Sequence, residues 1–193
     1  MTSNQSPPKE ATITPTYIGH VIGASFGLVF VLVNSAPFPD AVRVVVCILA
    51  VAAFLVIVAG FVATLRATGR EAAGSVVGFT GRYWIIVGVE AVLLFGGLAI
   101  VRLIEPAAAL GWIALVVGAH FFPLSRLWAP GRAQLMSIAI VMTSLGVVGL
   151  ILAFTTHNTD AVALVSGVGS GVVLLLAGFV VALRTLTARA IQR

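Results

Sequence analysis

Charged residues are scarce in this sequence, and their scarcity excludes an ordinary soluble protein. Asp, Glu, Lys and Arg make up 9% of the 193 residues, whereas hydrophobic residues make up 60%. A typical soluble domain carries about 25% charged residues. The composition therefore predicts a membrane protein.

Cysteine is almost absent as well, and the basic residues are nowhere clustered. Cys47 is the single cysteine, which excludes an internal disulfide and a cysteine-based metal cluster. The formal net charge is +5, but the basic residues are scattered near the ends of apolar runs rather than gathered in a stripe. We therefore expect no metal site and no nucleic-acid partner.

Long apolar runs are what the sequence does have. A helix needs about 20 apolar residues to cross a bilayer, and six runs reach that length: 17–36, 41–65, 83–103, 106–125, 134–155 and 160–183. The runs are continuous and about twice the length of a barrel strand. We predict an all-α integral membrane bundle of six transmembrane helices at 17–186, between a disordered cytoplasmic tail at 1–16 and a cytoplasmic tail at 187–193.

The basic residues predict the orientation of this bundle. Cytoplasmic loops of membrane proteins carry an excess of Lys and Arg. With six crossings, one side of the membrane holds only Arg43 and Arg102. The other side holds nine basic residues: Lys9, Arg66, Arg70, Arg82, Arg126, Arg132, Arg184, Arg189 and Arg193. Both termini should be cytoplasmic, in a multi-pass protein of the inner (plasma) membrane.

One carboxylate interrupts the third apolar run. Glu90 lies within YWIIVGVEAVLLFGGLAIVR (83–102), eight residues after Arg82. A charged side chain at hydrocarbon depth costs at least about 2.5–3.5 kcal/mol. An acid at this position is therefore a candidate functional residue.

Two histidines are predicted to lie in the same half of the membrane as Glu90. His120 lies six residues before Arg126, on a helix that runs in the opposite direction. At about 1.5 Å per residue, Glu90 and His120 both lie about 9–12 Å from the cytoplasmic ends of their helices. His20, near the start of the first run, is closer to the surface and could also be an interfacial histidine.

A protonated carboxyl group in an apolar site can give its proton to an apolar molecule. Burial disfavours the charged carboxylate, and aromatic faces attract cations. Glu90 could thus protonate a polyprenyl chain, after which aromatic walls stabilise the carbocation and His120 accepts the final proton. This reaction needs no cofactor and no metal. The predicted substrate-binding residues are Tyr83, Trp84, Trp112, Phe121, Phe122 and His20.

Two segments resemble known proteins. YWIIVGVEAV (83–92) and GWIALVVGAHFFPLSRLW (111–128) resemble segments of small actinobacterial six-helix integral membrane proteins, a group similar to bacterial membrane-bound terpene cyclases. The resemblance implies an isomerase of terpenoid biosynthesis that cyclises an apolar, prenylated (farnesyl-type) substrate, with Glu90 as the acid and His120 in the site. Fungal membrane cyclases carry acids on more than one helix, whereas Glu90 is the only carboxylate well inside the membrane here, which leaves the second acid or base open.

Two other functions fit the same residues. A proton-coupled small-molecule transporter or exporter could use Glu90 to exchange a proton with its substrate. Glu90 and His120 could instead form one hydrogen-bonded pair in a structural or regulatory membrane subunit. The sequence leaves the choice among these three open, together with the oligomeric state.

Overall fold

A computed structural model describes residues 15–74, 80–127 and 131–191. In this part of the chain there are six helices and no strand, which confirms the predicted all-α class. The predicted N-terminal tail lies outside the described residues up to position 14, as do positions 192–193 of the predicted C-terminal tail.

The six helices follow the six apolar runs in order. The first five are α1 (Pro15–Asn34), α2 (Asp40–Gly74), α3 (Gly81–Ile104), α4 (Ala109–Leu127) and α5 (Arg132–Thr156). A single 3₁₀ turn, Pro106–Ala108, joins α3 to α4. The last helix, α6, has three consecutive pieces: Thr159–Val162, the π-helical Ala163–Val168, and Gly169–Ile191.

Five apolar stretches are long enough to cross a membrane, which suggests a multi-pass membrane protein. They are Asp40–Arg66, Gly81–Ile104, Pro106–Leu127, Arg132–Thr156 and Thr159–Ala188. The apolar stretch of α1, Ile18–Asn34, is shorter. Five long helices and one shorter helix therefore correspond to the six predicted crossings.

Two helices run further than the apolar runs that predicted them. The second apolar run ends at 65, but α2 continues to Gly74; positions 75–79 lie outside the described residues. α6 likewise continues to Ile191, into the segment predicted as a tail. Both extensions are rich in Ala and Arg, which favour helix, and neither contains proline.

Glycine residues bring the central helices close together. α4 packs on α5, and a Cβ added at Gly118 would come within 2.8 Å of the Met142 carbonyl carbon. α1 packs on α6, and a Cβ at Gly171 would come within 2.6 Å of the Gly27 carbonyl oxygen. Small residues that let helices approach this closely are typical of membrane bundles.

α3 lies at the edge of the bundle. It packs mainly against α4, and none of its residues is buried. Val92, Phe95 and Leu103 are 70–87% exposed, as expected of a helix whose outer side faces lipid. The face that carries Glu90 is therefore held by a single neighbouring helix.

Candidate functional site

Glu90 and His120 lie against each other where α3 packs on α4. The Oε1 atom of Glu90 is 3.2 Å from the Nδ1 atom of His120. The tight turn at Glu105 explains the meeting, because each of the two residues is fifteen positions from it, in antiparallel helices. Equal spacing from the turn places both side chains at the same depth, about 22 Å along each helix.

The imidazole of His120 has a second contact that fixes its tautomer. Its Nδ1 atom also lies within hydrogen-bond distance of the Val117 carbonyl oxygen. Because a carbonyl oxygen can only accept, we assign the proton to Nδ1, where it is shared between Val117 and Glu90. In the neutral ring the lone pair is then on Nε2, which makes Nε2 the basic atom.

The pair is largely but not completely enclosed. The side chains of His120 and Glu90 are 14% and 19% exposed. Their charged forms are costly in an apolar interface, so the pair favours states with little separated charge. The exposed fraction leaves an approach for a small or slender molecule from the side where α3 meets α4.

Two of the predicted aromatic residues lie at this interface. The Phe121 ring is 4.1 Å from the His120 ring, centroid to centroid, at an interplanar angle of 37°. Phe121 also packs against Ile138 and Met142, which ties the site to the core. Trp112 donates its indole N–H to the Leu93 carbonyl oxygen at 3.0 Å, so that its polar atom already has a partner.

The other predicted substrate-binding residues lie further from the pair. Tyr83 is half-buried and, seven residues before Glu90, shares its helix face. Trp84 contacts Tyr83 edge to face at 5.4 Å, but it is 61% exposed and lies about 120° round the helix from Glu90. Phe122 is about 200° round α4 from His120 and so lies on its opposite side.

His20 is not brought into the pair. It lies on α1, which packs mainly against α2 and α6, whereas the pair lies between α3 and α4. Matching depth predicted the constellation of three residues, but depth does not determine which helices are neighbours. The site that the structure supports is therefore the pair of Glu90 and His120.

A metal centre finds no support in the described ranges. No group of three or more His, Cys, Asp or Glu side chains in residues 15–74, 80–127 and 131–191 could hold a metal ion. A shallow apolar groove lies open on the surface of α2, lined by Cys47, Ile48, Val51, Ala52 and Leu55. That groove belongs to a different helix from the pair.

Sequence reasoning missed a contact between a carboxyl group and an imidazole at the C-terminal end of α3. Glu105 pairs with His157, an exposed residue in the turn before α6. Glu105 also accepts a hydrogen bond from the Ala107 backbone N–H at 3.0 Å. That hydrogen bond, followed by the one with His157, lowers the pKa of Glu105 below its ordinary value. Glu105 and His157 both lie in turns on the same side of the predicted bundle, and this shared side is the sequence signal that could have indicated their contact.

Comparison of the chain with protein-family models, with curated proteins and with solved structures gives no match. The resemblance of 83–92 and 111–128 to membrane-bound terpene cyclases therefore stays a prediction, and the site geometry carries the functional argument.

Proposed function

We propose that this protein is a multi-pass protein of the plasma membrane that cyclises a prenyl chain by proton transfer at Glu90 and His120. The observation that carries the proposal is the 3.2 Å contact between a carboxyl group and an imidazole inside an apolar helix interface. An acid beside a base at one depth is what a reaction needs that begins with protonation and ends with deprotonation.

In the proposed reaction Glu90 adds one proton to the substrate and His120 removes one. The Glu90 carboxyl group adds its proton to a terminal alkene carbon, which forms a tertiary carbocation; an internal alkene then attacks the cation and closes the ring. Nε2 of His120 removes a proton from the cyclised cation, which restores a double bond. Nδ1 of the resulting imidazolium returns a proton to the Glu90 carboxylate across the 3.2 Å contact; loss of the Nε2 proton to solvent and reprotonation of Nδ1 through the exposed fraction of the pair then restore the starting tautomer. The product is an isomer of the substrate.

The surroundings of the pair support a cationic intermediate. Phe121, whose ring is 4.1 Å from the imidazole, offers an aromatic face that stabilises a nearby cation. The exposed apolar side of α3 gives a hydrophobic substrate direct access from the bilayer. We further propose that both termini are cytoplasmic, because nine of the eleven basic residues then lie on the inner side.

The test is product formation by the purified protein in detergent. A panel of farnesylated indoles and cyclodipeptides is supplied without metal or cofactor, and products of unchanged mass are sought by retention time. Glu90→Gln keeps the size of the side chain but removes the acidic proton, so it should abolish the isomer. Glu105→Gln makes the same chemical change outside the pair and should leave the product. An isomer that survives Glu90→Gln would place the acid elsewhere.

A proton-coupled transporter is the second candidate, and the position of α3 favours it. Glu90 lies on a helix that packs mainly against one neighbour, so α3 can move with its carboxyl group relative to the bundle. In proteoliposomes the wild-type protein would then carry substrate-dependent proton flux, which Glu90→Gln should abolish. Flux without any chemical change of the substrate would decide for transport over cyclisation.

A further inference from the structure

We propose that Trp112 is a positioning residue that holds α3 at the register where Glu90 meets His120. The inference deepens the proposed function, since the pair is the proposed site of proton transfer. It assigns Trp112 a different role from the substrate binding that the sequence predicts.

α3 depends on few contacts for its position. None of its residues is buried, and its packing partner is α4. Besides the pair, a second polar contact joins the two helices, from the Trp112 indole N–H to the Leu93 carbonyl oxygen at 3.0 Å. This bond occupies the one donor of the indole, which leaves Trp112 no N–H for a substrate.

Gly97 provides the space that the indole fills. A Cβ added at Gly97 would come within 2.5 Å of Trp112 Cε2 and 2.7 Å of Nε1. A Cβ added at Gly88 or Gly96 on the same helix would meet nothing within 4 Å. The indole is therefore seated at one specific glycine.

The spacing of the residues links this contact to the pair. Gly97 lies seven residues after Glu90 on α3, about two helical turns away on the same face, and Trp112 lies eight residues before His120 on α4. A slide of α3 by one turn, about 5.4 Å, would separate Glu90 from His120. The seated indole opposes that slide, because the other glycines of α3, Gly81, Gly88 and Gly96, lie where an added Cβ would meet nothing within 4 Å and so do not face Trp112.

The test is the ring ¹⁵N spectrum of His120 in ¹⁵N-histidine-labelled protein in bicelles, with the signals assigned from their loss in His120→Gln. In the wild-type background, Glu90→Gln should shift the His120 signals, and this shift reports the contact. Gly97→Ala should produce a shift of its own, and adding Glu90→Gln should then change nothing further. The matched control, Gly96→Ala, should keep the wild-type spectrum and its full response to Glu90→Gln.

A His120 spectrum that still responds fully to Glu90→Gln in the Gly97→Ala background would overturn the positioning role. Circular dichroism checks that the variants keep their helices. If Gly97→Ala does not fold, Trp112→Leu replaces it, because this substitution removes both the N–H and the bulk of the indole. The positioning role then requires that the His120 spectrum of Trp112→Leu no longer responds to Glu90→Gln.

The cyclisation assay on the same proteins separates the two proposals. Loss of the His120 response in Gly97→Ala, with no product from the wild-type protein, would leave the role of Trp112 standing and remove the proposed function. Product from Gly97→Ala with the pH–rate profile of the wild type would remove the positioning role of Trp112 and leave the proposed function standing.

Discussion

The carboxylate of Glu105 pairs with the imidazole of His157 and so joins the turn between α3 and α4 to the turn between α5 and α6. His157 ends α5 with a positive φ of 51° and donates its backbone N–H to the Ala153 carbonyl oxygen at 3.0 Å. Its side chain can reach Glu105 because the backbone leaves the helix at this residue. The pair therefore links the α3–α4 hairpin to the α5–α6 hairpin at one end of the bundle.

Acidification should weaken this end of the bundle. The pKa of Glu105 is lowered in the folded protein, chiefly by the hydrogen bond from the Ala107 backbone N–H and then by His157. A carboxyl group whose pKa is lower in the folded state adds stability above its unfolded pKa and loses that contribution as the pH falls through its folded pKa. The free energy of unfolding in mixed micelles should therefore fall on acidification below about pH 4.5.

Glu105→Gln should remove that part of the pH dependence. His157→Gln should raise the pKa of Glu105 only part of the way, because the bond from Ala107 remains; carboxyl ¹³C titration measures it. Asp160→Asn changes another carboxylate near the same turn and serves as the control. A wild-type pH dependence in Glu105→Gln would contradict the assignment.

Glu90 and His120 should be energetically coupled. A double-mutant cycle of Glu90→Gln and His120→Gln should give a coupling free energy of about 0.6–1.7 kcal/mol, between the average and the largest value measured for hydrogen bonds within a membrane bundle. The measurement is reversible unfolding in mixed micelles. The matched cycle of Glu90→Gln and His157→Gln joins residues far apart and should be additive within about 0.3–0.5 kcal/mol. Additivity in the first cycle would mean that the contact contributes nothing to stability.

The close packing of α4 on α5 should tolerate no added methyl group. Gly118→Ala places a Cβ within 2.8 Å of the Met142 carbonyl carbon, so the helices must move apart. Overpacking of this kind costs about 1–3 kcal/mol. Gly88→Ala makes the same substitution where nothing lies within 4 Å and should be neutral or slightly stabilising. Equal stability of the two variants would disprove the close approach.

Reporter fusions should test the proposed orientation of the chain. A periplasm-active phosphatase fused after Arg193 should be silent, and a fluorescent protein at the same place should fluoresce. The phosphatase fused after Asn158, in the turn before α6, should be active. Activity of the C-terminal fusion would reverse the proposed orientation.

The shared depth of Glu90 and His120 was accessible to sequence reasoning because it depends on counting. Two residues at equal distances from a tight turn lie at one depth in antiparallel helices, but the count does not determine whether their side chains face each other. The place of His20 was not accessible in this way, since depth says nothing about which helices are neighbours. That choice depends on glycine contacts such as Gly27 with Gly171, whose partners no single sequence reveals.

Trp112 shows a second limit of sequence reasoning. Aromatic residues near a buried acid predict a substrate pocket, and nothing in the sequence distinguishes an indole that meets substrate from one seated against a helix. The distinction requires knowing that Gly97 faces Trp112 while Gly96 faces outward. A rotation of α3 by one residue, about 100°, would exchange the two glycines.

The π-helical turn at Ala163–Val168 gives α6 two different phases. Ser166, inside the turn, donates to the Leu145 carbonyl oxygen on α5 at 2.9 Å, while Gly171, beyond it, meets Gly27 on α1. Each π-helical bond spans one residue more than an α-helical bond. Deleting one residue here would convert the turn to α-helix and leave the phase of Gly171 relative to Thr159–Val162 unchanged. The same deletion in a regular α-helix would instead rotate everything after it by about 100°.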